Sequence, residues 1–114
     1  MSETVLTANF REYVQTGNES IRSKKYNSAA NEFFKAFITL CDVAIYRKLK
    51  LLPDSHEDRF RILRTNFPDI YRTDVSLFEV YRKTYKLRLS REEVKLLQDG
   101  VAELAKKLGI KEYL

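Results

Sequence analysis

Apolar side chains recur along this chain at intervals of three and four residues, which is the period of an amphipathic α-helix rather than the two-residue alternation of a β-strand. Only three glycines and two prolines interrupt the 114 residues. The pattern therefore predicts five helices and no strand. Their expected bounds are about 3–22, 27–51, 54–66, 68–89 and 90–108.

The second predicted helix is apolar around nearly its whole circumference, so we expect it to be the central, most buried helix. Its polar residues form one narrow stripe, which is either a solvent-facing edge or the lining of a polar cleft. In a cleft, Lys35 would meet a phosphate and Asp42 would orient a ribose or a water molecule. The stripe consists of Asn31, Lys35, Thr39, Asp42 and Tyr46.

Short polar side chains and one glycine predict where helices begin and end. The expected caps are Asn27 or Ser28, Asp54 with Glu57, Ser90 with Glu93, and Gly109. Connections of two to six residues favour antiparallel neighbours. We therefore expect an all-α fold, an up-and-down antiparallel bundle of four main helices plus one short helix, in a single domain spanning residues 1–114.

Composition narrows the function. One cysteine cannot form a disulfide within the chain, and one histidine and one cysteine are too few for a structural zinc site. We therefore expect no metal and no cofactor. With no secretory pattern at the start and no apolar run long enough to span a bilayer, a cytoplasmic protein without membrane contact is expected.

The net charge of +5 is unevenly distributed. Nine basic and three acidic residues lie between Arg59 and Arg91, so this segment carries +6 and the rest of the chain −1. Such a segment favours a polyanionic partner, most often nucleic acid, although a solvated basic face is an equally weighted alternative. The expected nucleic-acid contacts are Arg61, Arg64, Arg72, Lys83 and Lys86.

Tyr81 and Tyr85 lie at the margin of this basic segment, where each could stack on an unpaired base. Both share a helical stripe with Val75 and Phe78, however. That stripe favours the interpretation that the tyrosines are core residues with hydrated hydroxyl groups.

His56 is the only side chain whose ordinary pKa allows proton exchange near neutral pH. If the protein is an enzyme, we expect His56 to act with an arginine that folding brings near it, either Arg47 or Arg59. The alternative is a surface histidine in a polar helix cap. No motif fixes a reaction, so the sequence favours a protein that acts by binding.

Tyr26, Ala29, Phe33 and Ala36 match half of a tetratricopeptide repeat. A repeat protein needs about three such units, and nothing recurs here at the period of about 34 residues that the repeat requires. Ordinary packing of a helical hairpin explains the match. A tetratricopeptide-like protein-interaction module remains a further alternative.

A second resemblance extends from about residue 3 to 108. The segment YNSAANEFFKAF at 26–37, its apolar continuation, the connection KLLPDSH at 50–56 and the closing helix resemble the HEPN superfamily. The resemblance implies a small helical bundle that forms a homodimer. Members are metal-independent ribonucleases, or partners of a small nucleotidyltransferase in toxin–antitoxin systems.

The ribonuclease signature of that superfamily is an arginine followed by a histidine, with four to six residues between them. Here Arg47 precedes His56 with eight residues between them. A related nuclease form has a tyrosine two positions after the histidine, where this chain has Asp58. The resemblance therefore implies a non-catalytic HEPN-like domain that binds RNA or a nucleotide-related partner protein. The alternative is a divergent enzyme that uses His56.

Overall fold

The computed structural model describes residues 3–110, and its regular structure is all-α, as predicted. No strand occurs within this range. The helices are α1 (Glu3–Arg22), α2 (Tyr26–Leu49), α3 (His56–Asn66), α4 (Pro68–Arg82) and α5 (Arg91–Leu108). A short 3-10 turn, Lys83–Tyr85, follows α4.

Helix α2 is the centre of the molecule. It contacts each of the other four helices, and most of its circumference is buried. The prediction of a central second helix is therefore confirmed. None of the described helices is long and apolar enough to cross a membrane. The largest fully buried side chains of α2 are Phe33, Phe34, Phe37, Leu40, Val43 and Ile45.

Contacts between helix ends fix how the helices are paired. Glu3, at the start of α1, binds Arg47, at the end of α2, so these two helices are antiparallel. Nη1 of Arg47 also donates to the carbonyl oxygen of Leu108 at 2.8 Å, which brings the ends of α2 and α5 together. Lys83 and Glu93 join the end of α4 to the start of α5.

The predicted caps are confirmed on α5 and wrong on α2 and α3. Ser90 and Glu93 form a reciprocal capping box, and Gly109 ends α5 with a φ of 75°. Helix α3 is capped by Ser55, whose Oγ accepts from the backbone N–H of Asp58. The helix therefore begins one residue after Ser55 and not at Asp54.

Helix α2 begins at Tyr26, and its N-cap residue, Lys25, makes no side-chain capping bond. Asn27 therefore does not cap this helix. Its side-chain amide instead donates to the carbonyl oxygens of Thr84 and Leu87, and its Oδ1 accepts from the N–H of Leu89. Helix α4 ends at Arg82 and not at residue 89 as predicted. Asn27 thus binds backbone groups that would form hydrogen bonds within α4 if that helix continued.

Two glycines allow helices to approach closely. A Cβ added at Gly17 of α1 would lie 2.9 Å from two ring carbons of Phe33. One added at Gly100 of α5 would lie 2.6 Å from Cδ1 of Leu77. The aromatic ring is rigid and buried, whereas the leucine methyl group can rotate away.

We expect Gly17→Ala to lower the free energy of unfolding by about 1–3 kcal/mol, because overpacking against Phe33 outweighs the gain in helix propensity. Gly100→Ala brings the same gain in propensity and meets a more mobile neighbour, so its loss should be smaller. Chemical denaturation of both variants measures the difference. Equal losses, or a larger loss at Gly100, would contradict this account of the packing.

Candidate nucleic-acid interface

Two short basic segments meet at one end of the molecule. Residues 22–25 join α1 to α2, and residues 82–91 join α4 to α5; neither segment contains an acidic residue. The hydrogen bonds of Asn27 hold the second segment against the start of α2, directly after the first. We call these two segments the basic end. Its exposed cations are Arg22, Lys24, Lys25, Arg82, Lys83, Lys86, Arg88 and Arg91.

Few carboxylates neutralise the basic end. Lys83 pairs with Glu93 at 3.2 Å, and Arg82 pairs with Glu79 at 3.1 Å. Within residues 3–110, the other six cations of the basic end form no ion pair. The basic end therefore keeps a concentrated positive charge that is accessible to a polyanion.

Five aromatic rings form a continuous row from α3 along α4 to the basic end. Phe60 meets Tyr71 edge to face, with ring centroids 6.4 Å apart, and meets Phe78 at 5.7 Å. Phe78 lies 6.0 Å from Tyr81, which in turn lies 5.8 Å from Tyr85. From Tyr71 to Tyr85 the row follows the helix for about 21 Å, at about 1.5 Å per residue. We call these five rings the aromatic row.

The last ring of the row lies inside the basic end and is open to solvent. Tyr85 is 72% exposed, so its interpretation as a core residue is wrong. The reason is that α4 ends at Arg82 and no longer directs Tyr85 along the buried stripe. Tyr81 is half-buried, and its hydroxyl lies 2.9 Å from that of Tyr85. This hydrogen bond raises the pKa of Tyr81 to about 12.

The basic residues expected to contact nucleic acid fall near opposite ends of the aromatic row. Lys83 and Lys86 line a cleft of about 330 Å³ together with Tyr85. Arg61 and Arg64 line a separate cleft of about 470 Å³ that also contains Phe60, Tyr71, Glu57 and Asp58.

The two clefts differ in charge. Arg61 is paired with Asp58, and the carboxylate of Glu57 also lines the second cleft, so its two arginines face two carboxylates. The first cleft has one carboxylate, that of Glu79, beside three cations. Arg72 lines neither of these clefts and pairs with Asp69. The basic end is therefore the stronger site for a polyanion, and it includes Lys24 and Lys25. These two lysines could not be assigned to the site from the sequence, because they lie far from the basic segment along the chain.

The side chains of the polar stripe of α2 contact several different parts of the molecule. Nζ of Lys35 lies 5.9 Å from the ring centroid of Tyr13 on α1, whereas Asp42 binds Arg59 on α3. Thr39 and Asn31 bond to carbonyl oxygens of their own helix. Nζ of Lys50 lies over the ring of Tyr46, 5.7 Å from the ring centroid. The contacts given for these polar groups are thus to separate partners.

Of the candidate enzymatic residues, His56 and Arg59 lie together. Arg59 is only 9% exposed and donates to both carboxylate oxygens of Asp42, from Nε at 2.8 Å and from Nη2 at 3.0 Å. Its Nη1 lies 3.2 Å from Nδ1 of His56. Arg47 is instead engaged by Glu3 and Leu108 at other helix ends.

The environment of His56 favours its neutral form. Burial lowers the pKa of His56, the charge of Arg59 lowers it further, and Asp42 opposes both effects. Because the pKa lies below its ordinary value of 6.5, the neutral imidazole is the major form at pH 7. His56 therefore adds little positive charge to the surface around the aromatic row.

Asp74 is a buried acid that sequence analysis missed. It is 1% exposed, and its Oδ1 has no hydrogen-bond partner among the described residues. Burial raises the pKa of Asp74 to about 7; the charge of Asp42 adds to the shift and that of Arg59 opposes it. The available signal was its spacing, because Asp74 lies four residues after Ile70 and three before Leu77 on the packed side of α4.

We expect Asp74 to make the protein less stable as the pH rises. Its folded-state pKa of about 7 lies above the ordinary value of 3.8, so the folded state retains the proton longer than the unfolded state. Stability therefore falls between these two values, by at most about 1.4 kcal/mol per pH unit. Asp74→Asn should remove this part of the pH dependence in urea denaturation at pH 4, 5.5 and 8.

The exposed Asp69 on the same helix supplies the control for this experiment. Asp69→Asn removes the same formal charge and should leave the loss of stability between pH 4 and pH 8 in place. Parallel pH profiles for the wild type and Asp74→Asn would contradict the assignment.

Asn27→Ala should loosen the basic end, because it removes three hydrogen bonds to the α4–α5 connection. We expect a loss of about 1–3 kcal/mol in the free energy of unfolding. The amide hydrogen of Leu89 should also exchange faster with solvent. Ser28→Ala, at the exposed neighbouring position, should change neither quantity. Unchanged exchange at Leu89 in Asn27→Ala would show that the side chain does not hold the connection.

Neither a protein-family model, nor a curated protein, nor a solved structure matches this chain. Its function is therefore inferred from the contacts, burial and charge of its own residues.

Proposed function

We propose that this protein binds single-stranded RNA, with the basic end contacting phosphates and the aromatic row contacting bases. The observation that carries the proposal is the position of Tyr85. This ring is 72% exposed, it ends the aromatic row, and it is surrounded in sequence by the cations of the basic end. An exposed ring within a positive surface is the arrangement by which proteins hold single strands.

The electrostatic part of the proposal rests on the six cations of the basic end that form no ion pair with the described part of the chain. Each one that neutralises a phosphate releases condensed counterions, so affinity falls as salt is added. For single strands the slope of log affinity against log salt is about −0.7 per phosphate contact. Binding through this surface should therefore be strongly salt-dependent.

The aromatic part of the proposal explains a preference for single strands. A base can stack on Tyr85 only when its face is not covered by its neighbours in a duplex. The half-buried rings of Tyr81 and Phe78 continue from Tyr85 towards α3. A strand that follows the row would place successive bases along about 20 Å of helix.

The proposal includes a HEPN-like, up-and-down arrangement of helices that lacks the ribonuclease signature. The pairing of α1 with α2 and of α4 with α5 at their ends supports this arrangement. Arg47, the nearest arginine before His56, is held by Glu3 and Leu108. A role in binding therefore fits these residues better than the usual ribonuclease chemistry of that superfamily.

A second candidate function is RNA cleavage by His56 and Arg59, whose side chains are 3.2 Å apart. The side chain of Arg59 is 11% exposed, and Asp42 takes two of its donors. Little of the guanidinium group is left to stabilise a reacting phosphate. Binding without cleavage is thus the better-supported function, and intact RNA after prolonged incubation is the expected result.

We expect Tyr85→Ala to weaken binding to a labelled single-stranded RNA by about 5- to 150-fold, because stacking is worth about 1–3 kcal/mol per base. Lys86→Ala should also weaken binding and should reduce the magnitude of the salt slope by about 0.7. Fluorescence anisotropy at several salt concentrations measures both quantities.

Lys106→Ala is the matched control, since it removes the same charge from the last turn of α5. It should leave affinity and salt slope close to those of the wild type. An equal loss in Lys106→Ala would indicate attraction by net charge alone. Equal affinity of the wild type for duplex and single-stranded RNA would contradict the role of Tyr85.

A further inference from the structure

The only histidine of the chain lies beside the middle of the aromatic row. The ring of His56 is 6.3 Å from that of Phe34, with 29° between their planes, and 6.4 Å from that of Phe78. The residue is exposed at the start of α3, so a ligand can reach it.

Its hydrogen bond with Arg59 determines which ring nitrogen carries the proton. A guanidinium group donates hydrogen bonds and accepts none. Nη1 of Arg59 lies 3.2 Å from Nδ1 of His56, so Nδ1 must be the acceptor. A neutral imidazole has a single N–H. The proton of His56 is therefore on Nε2.

Asp42 fixes this arrangement from the other side. Both of its carboxylate oxygens accept from Arg59, at 2.8 and 3.0 Å, so the guanidinium group cannot turn away from His56. The charges of Asp42 and Arg59 offset each other. On α4, the carboxyl group of Asp74 also interacts electrostatically with Arg59 and raises its pKa. His56 thus presents an oriented and uncharged donor beside the aromatic row.

We propose that His56 is a specificity-determining residue, which donates its Nε2–H to the acceptor edge of an RNA base held on the aromatic row. This inference rests on the proposed RNA-binding function and goes beyond it by assigning base recognition to one atom. A neutral donor brings no charge to a phosphate. The Nε2–H group of His56 lies beside the rings on which the bases would stack. A donor there can reach the edge of a stacked base.

The tautomer can be tested on the wild-type protein without RNA. Because the chain has one histidine, an imidazole ¹H–¹⁵N spectrum contains a single set of ring signals. At pH 7 we expect a protonated Nε2 and an unprotonated Nδ1. A proton on Nδ1, or an even mixture of the two tautomers, would overturn the inference.

Two variants test recognition of the base. His56→Phe keeps an aromatic ring and removes the donor, whereas His56→Gln keeps an N–H donor. Binding is measured by anisotropy to single-stranded oligo(U), oligo(A) and oligo(C) of equal length. In His56→Phe we expect the preferred oligomer to lose about three- to tenfold in affinity, the value of one hydrogen bond. The spread among the three oligomers should narrow, and His56→Gln should restore part of it.

The salt slope of His56→Phe should equal that of the wild type, because a neutral side chain releases no counterions. A smaller slope would mean that a charged histidine contacts a phosphate, and it would overturn the inference. Equal losses for all three oligomers, or no loss, would overturn it as well. Failure of the proposed function is distinct, since the wild type would then bind none of the oligomers.

Discussion

Asn27 holds together two parts of the chain that lie about sixty residues apart. Its amide group donates to Leu87 O at 2.8 Å and to Thr84 O at 3.3 Å, while its Oδ1 accepts from the N–H of Leu89 at 2.8 Å. These bonds hold the connection that follows α4 beside the α1–α2 turn. Through these bonds Asn27 ties together the two segments of the basic end, each of which alone is a short basic loop.

A second polar constraint lies inside the molecule. Asp42, Arg59 and Asp74 come from three different helices, and burial makes each of their charges costly unless it is balanced. Arg59 balances Asp42 through two hydrogen bonds, and Oδ1 of Asp74 has no hydrogen-bond partner within residues 3–110. The pair fixes α3 against α2 and orients His56. The unbalanced acid ties the stability of the same region to pH.

Local patterns predicted most of the fold. The end of α1 and the capping of α5 follow from residues within one or two turns of each other, so the sequence contains the whole signal. The end of α4 could not be predicted in this way. The side chain that binds the backbone beyond this helix end belongs to α2, and in the sequence Asn27 resembles an ordinary helix cap.

The site was predictable only in part, for a related reason. The basic segment between Arg59 and Arg91 was recognised along the chain, but the surface also includes Lys24 and Lys25, which only the folded chain brings near it. The helical spacing predicts a buried Tyr85 only if α4 continues to residue 89, and α4 ends at Arg82. Of the two arginines expected near His56, Arg59 contacts it, whereas Arg47 binds Glu3.

The central claim is that two separate segments form one RNA-binding surface. The most direct test is a titration of the ¹⁵N-labelled protein with a short single-stranded RNA, followed through its backbone amide signals. The account predicts that the amides of residues 22–25 and 82–91 shift together, with one apparent affinity. Shifts in only one of the two segments, or shifts concentrated on the outer faces of α1 and α5, would contradict it.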